Sequence, residues 1–97
     1  MSIEMTKVML RVDEHGAAFY DCMNHSGDHD VCTIMSTLSN VLVAEVFRAG
    51  YEPTIYNKGH VRIDVPKATY PLIEVFRCVE ECISHVAEQN PDSLKVY

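Results

Sequence analysis

A chain of 97 residues with 47% apolar content is long enough for one compact core and too short for a second. Its 14 acidic residues outnumber its 8 basic ones, the formal net charge is −6, and no Lys/Arg cluster forms a basic stripe. The charge that would neutralise nucleic-acid phosphates is therefore missing, whereas a basic polypeptide partner is compatible with this composition. We expect a single domain over residues 1–97 that binds no nucleic acid.

The chain begins with MSIEMTKVMLRVD, which carries Glu4 early and has no uninterrupted apolar region, so a signal peptide is not expected. The longest apolar stretches fall short of the roughly 18 residues of a membrane span. We therefore expect a cytoplasmic protein without a membrane partner, in which the four cysteines are reduced thiols. The question is then which of these thiols is reactive.

The first elements are a predicted hairpin and a long helix. Alternating apolar residues in KVMLRVD (Lys7–Asp13), a turn at Gly16 and the segment Ala17–Asn24 predict two paired strands. The period then changes, and helical spacing predicts a helix from Val31 to Ala49, with Asp30 as its N-cap and a glycine just beyond its end. Its apolar stripe consists of Val31, Met35, Leu38, Leu42 and Val46.

The second half of the chain repeats this order. YEPTIYN and HVRIDV flank the short connection Asn57-Lys58-Gly59, which predicts a second hairpin. Apolar spacing predicts a second helix from about Tyr70 to Gln89, and the tail DSLKVY could add a short strand. Two amphipathic helices must each bury a stripe against the apolar face of the hairpins. The predicted fold class is α+β, a two-layer sandwich with a mostly antiparallel sheet, two helices on one face, and the order ββαββα(β).

The segment NHSGDHDVCTIMS, which leads into the first helix, carries the most chemistry. With Asp30 as the N-cap, Cys32 would be the second helical residue, where unpaired amides and the helix dipole favour a thiolate over a thiol. Cys32 also lies off the apolar stripe, on the side of Ser36 and Asn40, so its sulfur is expected to face a partly polar cleft. The first amides of the helix could stabilise an oxyanion beside that sulfur.

A nucleophilic thiolate needs a group that accepts and returns a proton, and an imidazole does both near neutral pH. The candidates are His25, at the end of the second strand, and His29, in the predicted capping turn; Gly27 would let the loop between them bend. The spacing does not decide between them. A cysteine near a histidine is also compatible with a purely structural role.

Two sets of residues have spacings that could hold a metal. Cys22, His25, His29 and Cys32 form C-x2-H-x3-H-x2-C, four ligand types that zinc prefers, although the central spacer is short for a zinc finger. In the second helix, Cys78, Cys82 and His85 share one side at a spacing that could hold a metal, but cysteine behaves as a small apolar residue and we expect them to border the core. The thiol interpretation requires no metal and no cofactor.

With these residues in view, the chain resembles the Prp family, the ribosomal-processing cysteine proteases of bacteria. That family has Gly-His-Ala after a strand, a glycine-containing loop, and Gly-x-Asp-Ile-Val-Cys-Ala-Ala-x-Ser opening a long helix. Here Asn24–Ser26 (NHS) stands at the first motif and Gly27–Ser36 (GDHDVCTIMS) at the second. The resemblance makes Cys32 the catalytic cysteine, His25 the catalytic histidine, and Ser36 the serine one turn further on.

The resemblance covers nearly the whole chain, including the ending NPDSLKVY. It implies an α+β fold, a homodimer, and a cysteine endopeptidase that removes the N-terminal extension of a large-subunit ribosomal protein by cutting after aromatic residues. The chain departs from the family in a shorter stretch between His25 and Cys32, in Asn24-His25 for Gly-His, and in His29-Asp30 for Asp-Ile. These departures leave open a base role for His29, another protein substrate, or a non-catalytic interaction module.

Overall fold

A computed structural model describes residues 5–23 and 27–97. Its elements are β1 (Thr6–Val12), β2 (Ala18–Met23), α1 (His29–Arg48), β3 (Ile55–Asn57), β4 (His60–Val65), α2 (Tyr70–Gln89) and β5 (Leu94–Val96). The predicted order ββαββα with a final strand is confirmed, and the bounds of α2 agree with the prediction. The chain's tail contributes to the sheet.

The strands form one five-stranded sheet in the order β3-β4-β2-β1-β5. The β1–β2, β2–β4 and β3–β4 pairs are antiparallel, and β5 alone runs parallel to its neighbour β1. The α+β class is therefore confirmed, with a mixed but mostly antiparallel sheet. Strands β3 and β5 lie at its two edges.

The core lies between the sheet and the two helices. Side chains alternate between the two faces of a strand, and in β1 and β2 every second residue is buried against the helices. Tyr20, Ile63 and Phe76 are fully buried there, and burial of a large apolar side chain contributes roughly 1.5–3 kcal/mol. The opposite face of the sheet carries residues of intermediate or full exposure, such as Met9 and Phe19.

Helix α1 begins two residues earlier than predicted. The Asp28 carboxylate accepts hydrogen bonds from the N–H groups of Asp30 and Val31, at 2.9 and 3.2 Å, so Asp28 is the N-cap and Asp30 lies in the first turn. The prediction of Asp30 as the cap was wrong because both aspartates are good capping residues and only the turn of the backbone selects one. Cys32 is consequently the fourth helical residue, not the second.

Helix α1 is also apolar enough to cross a membrane by length and composition alone, with a mean hydropathy of 1.4 over an 18-residue window. Its buried residues pack in the core described above and are Val31, Met35, Ser39, Leu42, Val43 and Val46.

Helix α2 buries Leu72, Phe76, Val79 and Ile83 along one stripe. Cys78 and Cys82 are exposed, so the expectation that they border the core was wrong. At 100° per residue both positions fall outside the buried stripe, which is narrower than the apolar pattern of the sequence suggested.

The hairpin of β3 and β4 closes one side of the candidate site. Its turn needs a residue with positive φ, and Gly59 supplies it at φ 91°. Asn57 pairs with His60 across this turn, as the short connection in the sequence predicted. The turn therefore lies at the same end of the sheet as the start of β1 and the end of β2.

Candidate active site

A cleft of about 300 Å³ opens at this end of the sheet, beside the first three turns of α1. One wall belongs to the helix and consists of Cys32, Met35, Ser36, Ser39 and Asn40. The floor includes Thr6 of β1, Cys22 of β2 and Val61 of β4, and the second wall is the β3–β4 hairpin from Tyr56 to Gly59. The cleft thus joins residues from five elements of the fold.

Cys32, Ser36 and Asn40 reach the cleft from successive turns of α1, at spacings of four residues. Their side of the helix differs from the buried stripe of Val31, Met35 and Leu42, as the helical spacing predicted. Cys32 is partly exposed, which leaves its sulfur accessible from the cleft. The helix therefore presents a thiol, a hydroxyl and an amide in a row.

A second thiol, that of Cys22, lies in the floor and is only 8% exposed. Burial raises the pKa of Cys22 above its ordinary value, so this group is held as a neutral thiol. Beside it the Tyr20 hydroxyl lies 2.6 Å from Ser39 Oγ, and burial raises the pKa of Tyr20 strongly. These neutral groups support the floor, and they leave Cys32 as the accessible thiol of the cleft.

A hydrogen bond joins the second wall of the cleft, the β3–β4 hairpin, to helix α1. The Tyr56 hydroxyl donates to Asn40 Oδ1 at 2.9 Å, and both residues are exposed. Lys58 of the hairpin turn also lines the cleft. The strand and helix patterns of the sequence do not place this wall beside Cys32, because its residues are distant from the cysteine segment in the chain.

His60 contributes to the lining of the cleft, but its imidazole does not point toward Cys32. Tyr20 and Cys22 face the helices, so Asp21 between them faces the opposite side of the sheet, and the His60 Nε2 lies 2.7 Å from Asp21 Oδ1. His60 therefore has a carboxylate partner in Asp21. The pair lies on the helix-free face and does not supply a proton acceptor to the cleft.

Of the two histidines proposed as the base, one lies in helix α1 and the other lies outside the described residues. His29 is the first residue of α1 and precedes Cys32 by three positions, a helical spacing at which Cβ atoms are about 5–6 Å apart. His25 lies outside the described residues. His29 is exposed, so its imidazole lies at the solvent-facing start of the helix that carries Cys32.

Three amides in the first turn of α1 already have an acceptor. Those of Asp30 and Val31 donate to the Asp28 carboxylate, and the Cys32 N–H donates to the Asp28 carbonyl at 3.0 Å. An oxyanion would have to displace a charged cap to reach them. The idea that these amides stabilise an oxyanion is therefore not favoured, because Asp28 already occupies them.

Gly27 precedes this cap and is exposed. Its φ lies outside the left-handed region, and a Cβ added there would meet no atom within 4 Å. A side chain at position 27 would therefore meet neither a steric clash nor backbone strain.

Among residues 5–23 and 27–97, no three His, Cys, Asp or Glu side chains are grouped closely enough to hold a metal ion. Cys22 and Cys32 line the same cleft, and His29 is exposed at the start of α1. His25, the fourth residue of the C-x2-H-x3-H-x2-C pattern, lies outside that part of the chain. The four cysteines, all within it, form no disulfide.

No protein-family model matches the chain, and no curated protein matches it. The resemblance to the Prp family therefore depends on the motif around His25 and Cys32 and on the order of elements.

Proposed function

We propose that this protein is a cysteine endopeptidase that resembles the Prp family, with Cys32 as its nucleophile. The observation that carries the proposal is the position of Cys32: a partly exposed thiol in the first turns of a long helix, opening on a cleft of about 300 Å³. The second thiol of the cleft, Cys22, is buried and has a raised pKa, so it is unsuited to attack.

The proposed reaction proceeds through an acyl-enzyme. An imidazole accepts the proton of Cys32 while the sulfur attacks the scissile carbonyl, and it then donates this proton to the leaving amine as the C–N bond breaks. Water hydrolyses the resulting thioester and regenerates the thiol. His25 is the proposed base by resemblance, and His29, three residues before Cys32 on the helix, is the alternative.

A hydrogen-bond donor for the oxyanion is available one turn beyond the nucleophile. Ser36 follows Cys32 by four residues, lines the same cleft and carries a hydroxyl that can rotate toward the reacting carbonyl. Since Asp28 occupies the first-turn amides, we assign the oxyanion contact to Ser36. Loss of one such donor typically lowers kcat by about 10²–10³-fold.

The substrate proposed by resemblance is the N-terminal extension of a large-subunit ribosomal protein. The test is incubation of wild type, Cys32→Ala and Cys78→Ala with a ribosomal protein that carries this extension, and with a library of unstructured peptides. Cys78 is exposed on α2 and outside the cleft, so its variant is the matched control.

Cleavage by wild type and Cys78→Ala, and none by Cys32→Ala, supports the proposal. Cleavage of the library alone means an endopeptidase with another substrate, and cleavage of neither rejects the activity. His25→Ala and His29→Ala are measured in the same assay. The base is the histidine whose replacement by alanine abolishes turnover. Near-stoichiometric zinc in the purified protein would instead support the metal-binding alternative with Cys22, His25, His29 and Cys32.

A further inference from the structure

The hydrogen bond between Tyr56 and Asn40 crosses the cleft from the edge strand β3 to helix α1. Its length is 2.9 Å, and Tyr56 is 56% exposed, so the pair lies at the outer side of the cleft. Strand β3 has three residues and lies at the edge of the sheet, paired with β4. A short edge strand is among the parts of a fold that open most easily.

The distance of this pair from the nucleophile follows from helix geometry. Asn40 is eight residues beyond Cys32, which corresponds to about 12 Å along the helix axis. An extended peptide advances roughly 3.3 Å per residue, so it covers this distance with three to four residues. A substrate lying along α1 with its scissile bond at Cys32 would therefore meet the Tyr56–Asn40 pair three to four residues away.

We propose that Tyr56 and Asn40 are specificity-determining residues that act as a size filter for an extended polypeptide in the cleft. While their hydrogen bond is intact, the ring of Tyr56 narrows the outer side of the cleft and excludes bulky groups at that position of the substrate. An exposed hydrogen bond has a small net free energy, so the filter opens readily but is closed most of the time. This inference rests on the proposed endopeptidase function.

The filter can be tested without a substrate, because the sulfur of Cys32 reports access to the cleft. Iodoacetamide and a fluorescein-bearing iodoacetamide carry the same reacting group and differ in size. Both react with a Cys78→Ser/Cys82→Ser background, which removes the two exposed thiols outside the cleft, and the site of modification is assigned by fragment-ion mass spectrometry. The quantity measured is the ratio of the bulky to the small reagent's rate at Cys32.

Two variants each remove one side of the hydrogen bond. Tyr56→Phe keeps the ring and removes the donor, and Asn40→Ala removes the acceptor. Each is expected to raise the rate ratio about three- to tenfold, and the double variant no further than the larger single effect, because both lose the same interaction. Tyr70→Phe is the control, since Tyr70 is 74% exposed at the start of α2 and does not line the cleft.

An unchanged ratio in both variants, or an equal change in both rates, would overturn the filter. Urea unfolding of each variant verifies that the fold is intact. A raised ratio together with no proteolysis by wild type would mean that the filter stands and the endopeptidase function fails. Proteolysis by wild type with an unchanged rate ratio in the variants would mean that the endopeptidase function is supported and the size filter is rejected.

Discussion

The phenol oxygen of Tyr20 lies 2.6 Å from Ser39 Oγ, in the buried contact between strand β2 and helix α1. Tyr20 is fully buried and Ser39 is 4% exposed, so this hydrogen bond is shielded from water. Ser39 follows Cys32 by seven residues, two turns along the same helix. The bond therefore fixes the position of the helix that carries the proposed nucleophile over the strand that carries Cys22.

Removal of either hydroxyl is expected to destabilise the fold. Tyr20→Phe removes the phenol that pairs with the Ser39 hydroxyl, and Ser39→Ala removes the hydroxyl that pairs with the phenol. Because Cys22 lies within hydrogen-bonding reach of both groups, each loss is expected to cost about 0.5–1.5 kcal/mol. The double variant should lose less than the sum, because no unpaired hydroxyl remains. Urea unfolding of the four proteins measures this coupling, and strictly additive losses would contradict it.

The two thiols of the cleft are expected to react at different rates. Burial raises the pKa of Cys22 and limits its exposure to 8%, whereas Cys32 is partly exposed. At neutral pH, iodoacetamide should therefore modify Cys32 well before Cys22, with Cys78 as an internal reference for an exposed thiol outside the cleft. Time-resolved peptide mass spectrometry gives the order, and equal rates for Cys22 and Cys32 would refute the assignment of the accessible thiol.

Two substitutions of Asp28 distinguish the effect of its hydrogen bonds to the start of α1 from the effect of its negative charge. Asp28→Ala removes the acceptor for the N–H groups of Asp30 and Val31 and should lower the free energy of unfolding by about 1 kcal/mol. Asp28→Asn keeps an acceptor and should cost less. The control is Asp30→Ala, which removes only a first-turn charge, with a loss of about 0.5 kcal/mol. A larger loss for Asp30→Ala than for Asp28→Ala in urea unfolding would restore Asp30 as the cap.

The turn between β1 and β2 makes stability depend on acidity. The N–H groups of Ala17 and His15 donate to Asp13 Oδ1, at 2.9 and 2.8 Å, and lower the pKa of this carboxyl below its ordinary 3.8. Because the pKa is lower in the folded state, its stabilising contribution is present above about pH 4 and is lost as the pH falls through the folded value.

Asp13→Asn cannot titrate and should therefore melt below wild type at pH 6, with the difference shrinking between about pH 4 and pH 2. Thermal unfolding over this range measures the effect. Asp92→Asn, at an exposed position near the C-terminus, is the control. A difference that stays constant down to pH 2 would mean that the charge of Asp13 does not stabilise the turn.

Much of the local structure could be predicted because it depends on neighbours in the chain. The apolar period of 3.6 gives α2 from Tyr70 to Gln89, and the same period places Cys32, Ser36 and Asn40 on one polar side of α1. The sequence pattern did not determine whether Asp28 or Asp30 is the N-cap of α1. Either carboxylate could cap the helix, and the residue that does so is the one at which the backbone changes from extended to helical conformation.

The sequence by itself determined the element order, the α+β class and the presence of a thiol on the polar side of the first helix. Only the tertiary structure decided what faces that thiol. The β3–β4 hairpin brings Tyr56 to Asn40, and strand register turns His60 toward Asp21 on the other face of the sheet. These contacts join residues 16 and 39 positions apart, and they form because a strand's register fixes the face to which each side chain points.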